Sequence, residues 1–191
     1  MGGADKALLM LRGRTLIEHA VARASPQVGE LLINANGDTS RFARLGLPII
    51  PDSIAGFLGP LAGILTGLEW MRANRPHARW LASFACDTPF FPVDLVTRLI
   101  AAAEREQALT AIAASNGRQH NIFAVWNKNI KETADSILGK QALRKMADFI
   151  QLLPHTSIEF PQARVDPFFN INTPEDLAHA EAVMAGEQPI R

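Results

Sequence analysis

A chain of 191 residues is long enough for one sizeable α/β core and short for two. Lysine plus arginine equals aspartate plus glutamate at 19 each, which excludes a global basic field for nucleic acid and an acidic solvating tail. One cysteine, Cys86, excludes an internal disulfide and a cysteine metal cluster; no apolar run approaches the ~20 residues of a membrane span. With no signal-peptide layout at Met1-Gly-Gly-Ala-Asp-Lys6, the expectation is a cytoplasmic protein of one domain.

The opening Met1-Gly2-Gly3-Ala4-Asp5-Lys6 combines glycines that let backbone amides approach an anion with a lysine point charge. It reads as a phosphate cradle or as a frayed terminus. Thr15 is a candidate N-cap for an amphipathic helix over Leu16 to Ala24. Glu30 to Asn34 reads as a buried strand, with Asn34-Ala-Asn-Gly37-Asp38 the polar loop at its carboxyl end. An amide at Asn34 suits a nucleobase or ribose edge, although turn chemistry also explains it. Leu47 to Asp52 is a short strand ending in an acid. It leads through Gly59-Pro60 into a helix over Leu61 to Met71, whose N-terminus has unpaired amides that can face an anion.

Trp80-Leu-Ala-Ser-Phe-Ala-Cys-Asp87-Thr-Pro reads as a strand buried on both faces, with Asp87 at its end. Ligands of open α/β sheets bind outside the carboxyl ends of the strands, so Asp87 can hold a hard cation such as Mg²⁺ against a phosphate. The alternatives are an Asx-turn before Pro89 or a cap on the helix starting near Pro92. A helix over Val93 to Glu106 and a strand over Leu109 to Ala114 follow. A hairpin-like turn at Ser115-Asn-Gly-Arg118 then leads into Asn121 to Trp126, expected as an antiparallel edge on a parallel sheet. Arg118 and His120 could reach a phosphate or acceptor substrate, or lie exposed in the turn. Helices are expected over Lys128 to Leu138 and Gln141 to Leu152, and a last strand over His155 to Phe160. Thr173-Pro-Glu-Asp176 caps a helix running to about Met184, and Asn170 and Asn172 alternate with Ile171 so that both amides share a face.

Five stretches in register resemble the molybdenum cofactor guanylyltransferases: Met1 to Lys6, the Asn34 strand end, Pro51-Asp52 with Gly59-Pro-Leu-Ala-Gly63, Cys86-Asp87-Thr88-Pro89, and Asn170 to Leu177. The resemblance spans nearly the whole chain. It implies a Rossmann-like α/β nucleotidyltransferase fold, mostly parallel with helices on both faces and an antiparallel addition. It also implies transfer of GMP from GTP to the terminal phosphate of molybdopterin, with release of pyrophosphate. By the same resemblance Lys6 sits against the GTP phosphates, Asn34 and Asp52 contact the nucleoside, and Asp87 holds Mg²⁺. Arg118, His120, Asn170 and Asn172 are candidates for the pterin side. A monomer is expected, in transient contact with proteins that deliver molybdopterin or mature molybdoenzymes.

Two departures stand out. Family members usually begin with a strand and a Leu-Ala-Gly-Gly-x-Ser-x-Arg stretch before the Met-Gly-Gly found here, so the expectation is that Met1 is an internal methionine or that the chain is truncated. Related cytidylyl- and sugar-nucleotide transferases often carry acids where this chain has Asn170 and Asn172, which favours guanylyl transfer. A molybdopterin cytidylyltransferase, another sugar or cofactor nucleotidyltransferase, a non-catalytic nucleotide-binding protein and a plain structural domain are the rivals.

Overall fold

Local signals start and stop the helices. Thr15 Oγ1 accepts from the Glu18 amide while the Glu18 carboxylate accepts from the Thr15 amide, a reciprocal cap that starts α1 (Leu16–Ala24). The computed structural model describes residues 6–53, 59–130, 132–133, 145–162 and 164–186. Pro60 opens α2 (Pro60–Asn74), and α3 (Leu95–Arg105), α4 (Met146–Gln151) and α5 (Pro174–Ala185) follow. A second reciprocal cap, between Thr173 and Asp176, begins α5. Most of the helix expected over Lys128 to Leu138, and the start of the one expected from Gln141, lie outside the described residues.

The strands are β1 (Met10–Leu11), β2 (Arg14–Thr15), β3 (Ile33–Asn34), β4 (Ile49–Ile50), β5 (Trp80–Ser83), β6 (Thr110–Ser115), β7 (Arg118–Asn127) and β8 (His155–Glu159). Four form one sheet in the order β5-β7-β6-β8. The β6 and β8 strands pair in parallel, and β7 runs against both β5 and β6. Asn116 and Gly117 turn the chain from β6 into β7 with φ of 52° and 73°, the left-handed pair that tight hairpins need. The antiparallel strand is therefore interior, whereas the sequence suggested an edge: its ten residues are long enough to bond β5 and β6 at once.

β3 and β4 pair in parallel as a separate sheet of two strands, with Ile33 opposite Ile49. The strand ending in Asp87 is also shorter than its apolar run: β5 stops at Ser83, is half-buried throughout, and leaves Asp87 in the following loop.

Alternation along β6 and β7 sorts the core into two faces. Ala111, Ala113, Phe123 and Val125 meet α1 and α3 through Ala20, Ala24, Leu95 and Leu99. Ile112, Ala124 and Trp126 meet α2 and α4 through Leu65, Leu68, Phe149 and Ile150. Helices thus cover both faces, the α/β layering expected from the sequence. Phe123 is 2% exposed, with ring centroids 5.5 Å from Phe91 and 5.0 Å from Phe168. Phe123→Ala is expected to cost about 3–5 kcal/mol of stability in urea unfolding; a loss below about 1 kcal/mol would contradict this packing.

Candidate functional site

Polar side chains gather where β3, β4 and β5 give way to loops. Asn34 closes β3, and its Nδ2 donates to Asp52 Oδ1 at 3.0 Å and to the Ile50 carbonyl at 3.2 Å. Asn36 grips Asp52 from the other side: its Nδ2 donates to Oδ2 at 2.8 Å, and its Oδ1 accepts from the Asp52 amide at 2.9 Å. Two amides therefore hold one carboxylate, of which the sequence points to Asn34 alone as a site residue. The Asn-x-Asn spacing was the available signal, hidden because turn chemistry alone accounts for it.

The first turn of α2 lies directly under Asn34. A Cβ added at Gly63 would stand 2.3 Å from Asn34 Oδ1, a distance no real Cβ adopts. Glycine at this helical position lets the helix N-terminus approach the amide closely.

The second group assembles around the loop before α5. Lys6 Nζ donates to Asn172 Oδ1 at 2.6 Å, joining two candidates from opposite ends of the sequence. The Asp87 carbonyl accepts from the Ile171 amide at 2.9 Å, which fixes the Asp87 loop against the Asn170–Asn172 segment. Ile171 is fully buried, while Asn170 and Asn172 are exposed on either side of it, as their alternation suggested. Asp176 Oδ2 accepts from the Asn172 and Thr173 amides at 2.9 and 2.8 Å. These bonds, that from Asn172 foremost, lower the Asp176 carboxyl below its usual range.

Helix α1 and the turn that follows it hold the chain after Asp87. Gln27 Nε2 donates to the Pro92 carbonyl at 3.0 Å, its Oε1 accepts from the Val96 amide at 3.1 Å, and the Arg23 guanidinium donates to the Phe91 carbonyl. Asp87 is half-buried, and among the described residues its nearest side-chain partner is the Thr88 hydroxyl at 3.5 Å. Asn34 and Asp87 line one common cavity.

Arg118 and His120 belong to a different cluster. The His120 ring stacks on Phe168 with centroids 4.5 Å apart, and its Nε2 lies 2.7 Å from Ser115 Oγ. Ser115 in turn donates to Asp166 at 2.8 Å, so with its hydrogen given to that carboxylate the imidazole Nε2 is the donor. Arg118 is exposed at the hairpin. No hydrogen bond among the described residues links either side chain directly to Lys6, Asn34, Asp52 or Asp87.

Mg²⁺ takes one or two carboxylates and completes its octahedron with waters and phosphate oxygens. No group of three or more His, Cys, Asp or Glu capable of holding a metal occurs among the described residues. A lone rim carboxylate at Asp87 fits that donor set, whereas a cage made wholly by protein does not.

Helices on both faces of a mixed sheet define a Rossmann-like α/β fold, a frame that takes nucleotides in the loops beyond its strands, where amide, carboxylate and ammonium groups gather in this chain. Residues 1–156 match the family model described as MobA-like NTP transferase domain, and the chain belongs to that family. It is 44% identical over 187 residues to a molybdenum cofactor guanylyltransferase of Bradyrhizobium sp. (strain ORS 278), covering 98% of this chain and 88% of that one. It is 46% identical to a molybdenum cofactor guanylyltransferase of Rhodopseudomonas palustris (strain BisB5), over 96% of this chain and 87% of the relative. Among solved structures, molybdopterin-guanine dinucleotide biosynthesis protein A from Archaeoglobus fulgidus superposes with a TM-score of 0.71 at 23% identity, covering 96% and 92% of the two chains. The 2-C-methyl-D-erythritol 4-phosphate cytidylyltransferase of Thermus thermophilus superposes with a TM-score of 0.61 at 21% identity, covering 94% of each. These two likenesses bear on the fold.

Gly63→Ala forces Asn34 away from Asp52. Nucleotide affinity by calorimetry is expected to fall about tenfold with helix content by circular dichroism unchanged; unchanged affinity would remove Asn34 from the nucleotide site. Burial, opposed by the Asp166 charge, lowers His120 below its ordinary value of 6.5. A histidine harder to protonate folded than unfolded gives stability that is complete above that ordinary value and is lost as pH falls below it. The drop in melting temperature between about pH 7.5 and about pH 5 should therefore shrink in His120→Gln. An equal drop in both proteins would mean that His120 titrates as if exposed.

Proposed function

We propose that this protein transfers GMP from GTP to the terminal phosphate of molybdopterin, with or without its molybdenum, forming the guanine dinucleotide and releasing pyrophosphate. One observation supports this most: Lys6, Asn172 and the Asp87 loop converge at one rim, in a chain 44% identical along nearly its whole length to a molybdenum cofactor guanylyltransferase. An oxygen of the pterin phosphate attacks the α-phosphorus of GTP, the α–β bridging bond breaks, and both bonding electrons leave with pyrophosphate. Negative charge grows on the phosphate oxygens through this displacement. The groups that lower its energy are donors and cations already in position.

Lys6 is a cation at the phosphates, and its bond to Asn172 holds the flexible side chain in place before nucleotide arrives. Asn34 and Asp52 face the nucleoside, with Asn36 keeping the Asp52 carboxylate in one orientation. Asn170 and Asn172 are neutral, so they offer hydrogen bonds to an acidic acceptor without repelling it. Asp87 would hold Mg²⁺, which when bound supplies positive charge beside the phosphate oxygens. Arg118 and His120 remain candidates for the pterin side. In this reading the protein works in the cytoplasm and meets the proteins that deliver molybdopterin or receive the finished cofactor.

Calorimetry with GTP and CTP, each with and without Mg²⁺, tests the reading. GTP-selective, Mg²⁺-dependent binding is expected. In Asp87→Ala, pyrophosphate release should fall on the order of 10²-fold or more while the melting temperature holds. Preference for CTP would move the protein to cytidylyl transfer, and full turnover in Asp87→Ala would sink the role of that carboxylate.

A further inference from the structure

The Ser115 hydroxyl, 1% exposed, stands between Asp166 and His120. A carboxylate only accepts, so the single hydroxyl hydrogen points to Asp166, whose Oδ1 and Oδ2 lie 2.8 and 3.0 Å away. The imidazole must then give its Nε2–H to Ser115, which leaves Nδ1 a bare lone pair. Nothing among the described residues donates to that atom. The ring is held by its 4.5 Å stack on Phe168, itself 4% exposed. Burial, then the Arg118 charge, lower the pKa of the imidazole against the pull of Asp166 and Glu159, so the lone pair persists at neutral pH.

The backbone places this half-buried ring beside the rim. Ala124 pairs with Ile112, but His120 pairs with the next residue, Ala113, so the chain from Asn121 to Phe123 bulges from the ladder. Bulges of this kind re-aim side chains next to sites. Both β5 and β6 run against β7, so the Asp87 loop and the β6–β7 hairpin leave the sheet at the same end. Phe168 lies against the imidazole and the Ile171 amide bonds the Asp87 carbonyl, and at most about 11 Å of chain separates these two residues. Asn170 is exposed between them. Asn34 and Asp87 share a cavity in whose lining His120 takes no part, so the imidazole stands apart from the residues that face the nucleoside.

We propose that His120 Nδ1 accepts a hydrogen bond from an N–H group on the pterin ring of the acceptor substrate. The assignment rests on the guanylyl-transfer reading above. A phosphate oxygen is excluded at this atom, because one lone pair would meet another, whereas a pterin carries ring N–H groups and an exocyclic amino group. Guanine carries the same kinds of donor, so the pterin and the base of GTP are the two sources to be told apart.

Two variants separate contact from support. His120→Gln sets an amide N–H near the Nε2 position and keeps the bond to Ser115 while removing the Nδ1 acceptor. His120→Asn sets an amide oxygen near the Nδ1 position and gives up Ser115. In steady-state GMP transfer the KM for molybdopterin is expected to rise about tenfold in His120→Gln and less than about threefold in His120→Asn. The Kd for GTP by calorimetry should stay unchanged in both. A purely structural role predicts the reverse order, with His120→Asn the more impaired. That order, a wild-type KM in His120→Gln, or a rise in the Kd for GTP in place of the KM would overturn the proposal. Wild-type protein that transfers no GMP to molybdopterin would instead sink the reading on which it rests. Calorimetry with tetrahydropterin then decides His120 by itself: an affinity lowered about tenfold in His120→Gln upholds the contact, and equal or absent binding overturns it.

Discussion

The rest of the structure depends on β7 being bonded along both edges. Ala124, Val125 and Trp126 face β5 on one side and β6 on the other, so their backbone groups are satisfied entirely within the sheet. Their side chains then fasten the helices of both faces, Val125 toward α1 and α3, Ala124 and Trp126 toward α2 and α4. Trp126 adds a stitch of its own, its indole donating to Ser83 Oγ at 2.9 Å, while Ser83 donates to the Ile122 carbonyl at 2.5 Å. With β5 locked there, the loop that carries Asp87 leaves from a fixed point, and Phe91 anchors its far end in the core with no exposure.

What could be read in the sequence is what short-range chemistry decides. Thr15 with Glu18, and Thr173 with Asp176, cap their helices through bonds between residues three apart, so the spacing marked both starts. Asn116-Gly117 fixed the hairpin for the same reason. The place of β7 was not legible, because an alternating run looks alike at an edge and in the interior; only its partners distinguish the two. Glu30 to Asn34 looked like a full strand and forms two paired residues, since β4 is its one bonded neighbour among the described residues. Among the candidate side chains, Asn34 and Asp52 were legible as polar ends of apolar strands. The grip of Asn36 on Asp52 was not.

Charge at the rim is arranged sparingly. Asp52 is held by amides rather than by a lysine or arginine, so its acceptor strength is directed without neutralising it. Among the described residues Lys6 rests on an amide oxygen rather than a carboxylate. In each case a neutral partner among the described residues fixes the geometry of the ion. For a ligand bearing several phosphates, such an ammonium is a stronger attractor than one already in a salt bridge.

The bond between Lys6 and Asn172 spans 166 positions of sequence. During synthesis the N-terminal part emerges from the ribosome first, at roughly 5–20 residues per second. The lysine therefore waits on the order of ten seconds before its asparagine has even been added. Until then the rim lacks one of its two sides. Closure of this bond is thus a late event, and a chain broken before Asn172 leaves Lys6 without that partner.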